Sequence, residues 1–124
     1  MSHRRVQRLN QLLREELATL LRTESKDPRV RTVTITDVET TSDLAQAEVF
    51  IRTLGGEMPV EKAIEGLESA EGFLRRELGR RLHLRRIPEL IFTPDTTLEH
   101  ATRIESLLEE ALGQERDDGA NEGD

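Results

Sequence analysis

The chain is 124 residues long, carries a formal net charge of −7 and is 35% apolar with only three aromatic residues, all Phe. That length holds one domain with one modest core of Leu, Val, Ile and Ala. The absence of Cys excludes disulfide scaffolds, thiolate metal sites and cysteine nucleophiles, and with no apolar run near the roughly 18 residues of a membrane span and a polar start, MSHRRVQRLN, a soluble cytoplasmic protein is expected.

From Arg4 to Arg22 the residues Val6, Leu9, Leu13, Leu17 and Leu20 recur at three and four, which predicts an amphipathic helix with Arg4, Arg8, Gln11, Glu15 and Arg22 outward. Asp27 before Pro28 stops it, because a residue preceding proline is pushed away from helical angles. Val33–Thr36 and Ala45–Arg52 alternate apolar and polar with odd positions inward, and ETTSD between them is turn material, so the pair reads as an antiparallel hairpin.

LGGEMP breaks the second strand, and Pro59 begins a helical pattern of Ile64, Leu67, Leu74, Leu78 and Leu82. Ala70-Glu71-Gly72 interrupts it, and a Gly inside a helix costs about 1 kcal/mol relative to Ala. A bend there, with Ala70 and Gly72 at the kink, turns Phe73 inward; the alternative is an exposed Phe beside Arg76 and Arg80. Ile87–Phe92 is a third strand with Pro88 at its start. Thr96-Thr97-Leu98-Glu99 is a capping box that opens a last helix with Leu98, Ala101, Ile104, Leu108 and Leu112 inward. The order α, β, β, α, kink, α, β, α makes an α+β sandwich of two layers over residues 1–112, and 113–124 reads as a disordered acidic tail.

Catalytic chemistry finds little support. His3, His83 and His100 show no ligand spacing, the nucleotide-binding and nucleophile-elbow motifs are absent, and Glu109-Glu110 and Asp117-Asp118 sit where nothing desolvates them. No catalytic residue, metal site or cofactor is expected. The charge distribution is more telling than its sum: residues 87–124 hold 2 basic and 11 acidic side chains, and the rest of the chain is net positive. Arg75, Arg76, Arg80, Arg81, Arg85 and Arg86 fall within twelve residues against one acid, Glu77, and Arg4, Arg5 and Arg8 add a second group. A solvated charged face normally mixes signs, so these two patches point to phosphate contacts with RNA.

The residues also resemble one family throughout. The leading RRVQRLNQLLREEL, the turn KDPRV with VTITDVETTSDLAQAEVFI, and AEGFLRRELGRRLHLRRIPELIFTPDTTLEHATRIESLL look like ribosome-binding factor A over residues 4 to about 112. The resemblance implies a type II KH-like fold, with an extra C-terminal helix, in which a helix-kink-helix centred on Ala70-Glu71-Gly72 replaces the GxxG loop that clamps single-stranded RNA in a KH domain. It implies a bacterial, non-enzymatic assembly factor that binds the immature small ribosomal subunit and assists late rRNA maturation, including processing near the 5′ end. Growth in the cold, release assisted by a ribosome-associated GTPase and a monomeric state belong to the same expectation. Two other readings stay open on the residues alone: an adaptor whose arginines bind acidic protein partners, and a small hydrolase with a carboxylate site.

Overall fold

The computed structural model describes residues 3–54 and 58–96. By its contacts the chain divides into two units, Met1–Pro94 and Asp95–Asp124, and the fold below is that of the first. The capping box, the last helix and the acidic tail lie outside the described residues.

Helix α1 spans His3–Thr23, close to the predicted range, and buries Leu13, Leu17, Leu20 and Leu21. A short 3-10 turn, Pro28–Val30, follows. Asp27 caps it by accepting from the Arg29 amide at 2.9 Å and grips the Arg29 guanidinium, Nη2 to Oδ2 at 2.7 Å. Strand β1, Val33–Thr40, pairs antiparallel with β2, Gln46–Thr53. After α2, Val60–Ser69, and α3, Glu71–Leu82, strand β3, Glu89–Pro94, joins β2 in parallel, giving the order β1-β2-β3. The α-β-β-α-α-β order is the expected one.

One sheet face forms rows across the three strands, Val38-Val49-Phe92 and Thr40-Ala47-Leu90, and all of these but Thr40 pack with Leu13, Leu17, Leu20, Leu67, Leu74 and Leu78 in one core. The other face is mostly polar, with Gln46 donating to Glu89 at 3.3 Å and Thr93 to Glu48 at 2.9 Å. Sheet and helices therefore form two layers.

The strands differ from expectation in two places. β1 runs four residues further than Thr36, because the register shifts between Ile35 and Asp37. At this bulge the inward positions change from odd to even: Ile35 is followed by Thr36, Val38 and Thr40, all buried. Thr36 donates its hydroxyl to the Phe50 carbonyl at 3.3 Å, which satisfies a polar group with no exposure. ETTSD is thus half strand, and the turn proper is Thr41–Ala45, where Asp43 accepts from the Thr41 hydroxyl and the Ala45 amide. β3 begins two residues later than expected; Ile87 and Pro88 are buried but precede the ladder.

Candidate functional site

The bend between α2 and α3 falls at Ala70, whose backbone lies at φ −93° and ψ 0°, while its amide still reaches the Gly66 and Leu67 carbonyls. Gly72 does not make the bend. It is the second residue of α3, outside the left-handed region, and a Cβ there would meet nothing nearer than Arg76 Nη1 at 3.7 Å. Of the two residues expected at the kink, Ala70 is the non-helical one and Gly72 lies within α3.

Helix α3 restarts with its own phase. Leu74 and Leu78 turn to the core, so Phe73 stands 36% exposed and is not turned inward. The bend lies before Phe73, so it cannot rotate Phe73 relative to Leu74; within α3 the two are fixed about 100° apart. The uninterrupted helical pattern had placed Phe73 on the polar side, and that signal was the correct one.

The six clustered arginines separate into two sets. Arg75 donates to the Ile87 carbonyl at 2.8 Å, and one turn earlier Glu71 accepts from the Leu90 amide at 3.1 Å, so this edge of α3 fastens the start of β3. Arg81 is only 26% exposed and faces three carboxylates: Glu77 at 3.6 Å, Glu16 at 3.7 Å and Glu24 at 3.8 Å. It ties α3 to α1. Both side chains therefore hold elements of the fold together.

Arg76, Arg80, Arg85 and Arg86 are exposed. Arg80 pairs with Glu77; the bond holds the Glu77 carboxyl below the usual carboxylate range and the guanidinium above its ordinary value. Among the described residues no ion pair engages Arg76, Arg85 or Arg86. On α1, Arg4, Arg5 and Arg8 are all exposed in the first two turns, as the helical phase requires. His3 begins α1, and His83 closes α3 in the left-handed conformation at φ 56°. Among the described residues, no three of His, Asp and Glu gather as metal ligands.

The class these features define is a small α+β protein with a mixed three-stranded sheet, a broken helix pair and a cationic outward face on the second helix of that pair. The chain belongs to the ribosome-binding factor A family, whose model matches residues 5–108. A ribosome-binding factor A of Thioalkalivibrio sulfidiphilus is 46% identical over 112 residues, covering 90% of this chain and 87% of the relative. One from Desulforamulus reducens is 44% identical over 115 residues, covering 93% and 95%. The crystal structure of the Thermus thermophilus protein aligns with TM-score 0.65 at 30% identity, covering 72% of this chain and 93% of that one. A homology model of the T. thermophilus protein fitted into a cryo-electron-microscopy map of a 30S complex aligns with TM-score 0.53 at 30% identity, covering 70% and 87%.

Proposed function

We propose that this chain is a non-enzymatic assembly factor that binds the immature small ribosomal subunit and assists late maturation of its rRNA, including processing near the 5′ end. The observation that carries this is the exposed set Arg76, Arg85 and Arg86, three cations without an ion pair among the described residues. Like charges left unpaired on a surface repel one another and cost stability, and a polyanion removes that cost on binding. The family membership and the relative fitted with a 30S subunit support the choice of rRNA as that polyanion. Arg80 joins the set through exchange: Arg81 also contacts Glu77, so Arg80 can leave for a phosphate without stranding the carboxylate. Arg4, Arg5 and Arg8 supply a second line of contact. On this reading the protein acts as a cytoplasmic monomer, supports growth in the cold, and is released with the help of a ribosome-associated GTPase.

The test is salt-titrated binding of wild type and the triple variant Arg76→Gln, Arg85→Gln, Arg86→Gln to purified immature small subunits. Each lost phosphate contact should flatten the slope of log affinity against log salt by about 0.7–0.9, so the triple variant should lose about 2–3 units of slope together with affinity. Equal affinities and slopes for the two proteins would overturn the assignment of this face.

A further inference from the structure

We infer that Phe73 is a stacking platform for an unpaired rRNA base, flanked by arginines that hold the adjoining phosphates. This rests on the function proposed above and adds to it a ligand class, single-stranded or flipped-out nucleotides, that phosphate contact alone does not select. Leu54, Phe73 and Ile91 are the large apolar side chains exposed among the described residues, and Phe73 is the aromatic one. Phe73, Arg76 and Arg80 fall within about 60° of one another around the axis of α3, on the side away from Leu74 and Leu78.

The surroundings of the ring are uncrowded toward the helix N-terminus. Gly72 beside it has no side chain, Ala70 is small, and Ser69 one turn earlier turns its hydroxyl back to the Glu65 carbonyl at 3.0 Å. Arg76 lies one turn later, with its Nη1 3.7 Å from where a Gly72 Cβ would stand, so the guanidinium folds back over the residue preceding Phe73. A protein partner would ask for a wider apolar patch with a neutral core, whereas one phenyl ring bordered by cations matches a nucleotide, which offers an aromatic face and a phosphate a few ångströms apart. Any base can stack there, because every base has a π face.

The chain contains no Trp and no Tyr, so Phe73→Trp places a single fluorophore on the platform. The probes are a 12-nucleotide oligoadenylate and a 12-base-pair RNA duplex. Phe73→Trp should bind the single strand within about twofold of wild type and be quenched by it, with no quenching by the duplex. Phe73→Leu keeps the apolar bulk but removes the π face; it should lose about 5- to 100-fold in affinity for the single strand, with an unchanged salt slope and unchanged duplex binding. Arg76→Gln should instead flatten the salt slope. Wild-type affinity of Phe73→Leu for the single strand, or an unquenched Trp in bound RNA, would overturn the inference. So would a Phe73→Leu protein that loses the subunit but not the oligonucleotide, which would place the ring on a protein. Failure of the wild-type chain to bind immature small subunits would overturn the proposed function itself; subunit binding with no oligonucleotide binding would overturn only the stacking.

Discussion

Of the three glycines inside the helices on either side of Ala70, Gly66 and Gly72 should respond oppositely to alanine. Gly72 is exposed, lies in ordinary helical backbone and has room for a Cβ. In a helix interior the replacement gains about 1 kcal/mol, and in a first turn, where fewer backbone bonds depend on the residue, about half of that. Gly72→Ala should therefore raise stability by about 0.5–1 kcal/mol, or about 2–6 °C in melting temperature. Gly66 is buried where α2 meets the Pro28–Val30 turn, and its Cβ would stand 3.1 Å from both Arg29 Cβ and Val30 Cγ1. Neither neighbour yields freely: Val30 is 2% exposed, and Asp27 holds Arg29 by both carboxylate oxygens. Overpacking costs about 1–3 kcal/mol, set against the same propensity gain of about 1 kcal/mol, which leaves Gly66→Ala neutral to about 2 kcal/mol less stable. The assay is urea denaturation of both variants at constant slope, so that midpoints report stability alone. A Gly72→Ala midpoint below wild type would mean that the bend needs this glycine after all, and a Gly66→Ala midpoint above that of Gly72→Ala would refute the close-approach argument.

Arg81→Gln should lower stability, since Glu16 of α1 and Glu24 just after it lose the cation between them, yet leave the salt slope of subunit binding unchanged; a flattened slope would place Arg81 on the RNA face. His83→Gly should stabilise by about 1 kcal/mol by relieving a left-handed non-glycine residue at the C-terminus of α3, and an unchanged melting temperature would count against that strain. Arg29 lowers the Asp27 carboxyl and Arg80 that of Glu77, both through side-chain hydrogen bonds. A depressed folded pKa contributes stability that is complete above the unfolded carboxylate value, about 4, and is lost as pH falls through the folded value. Urea midpoints followed downward from pH 6 should accordingly fall less steeply for Asp27→Asn and Glu77→Gln than for wild type, and parallel curves would refute this linkage.

The helices were legible because their stripes are clean: Leu13, Leu17 and Leu20 repeat the helical period without interruption and are all buried. The end of β1 was not, because the bulge at Thr36 moves the inward set from odd to even positions and alternation appears to stop where the strand merely changes phase. The candidate site was legible as a composition but not as an arrangement. Arg75 and Arg81 look like Arg76 and Arg80 in the chain, and what distinguishes them is the Ile87 carbonyl, Glu16 and Glu24, partners fixed only by the packing of β3 and α1 against α3. Phe73 was misplaced by letting the bend turn it inward, whereas the helical period carried straight through, and Leu74 and Leu78 within α3, both leave it outside the core.

The parallel pairing of β3 with β2 also orders events in time. β1 and β2 are joined by a short turn, so their hairpin can form on the microsecond scale from local contacts. β3 reaches its place only after the chain has travelled through both α2 and α3 and returned, about 35 residues later, and it has no ladder until that long loop closes. The Glu71 and Arg75 bonds to Leu90 and Ile87 then act as a clasp that closes late and opens early. Native-state hydrogen exchange would register this as amides of β3 opening in a unit with α3, ahead of the hairpin. The arginine-bearing helix is thus bonded to the strand with the longest loop to close, so the face proposed to meet rRNA should open and close with that strand.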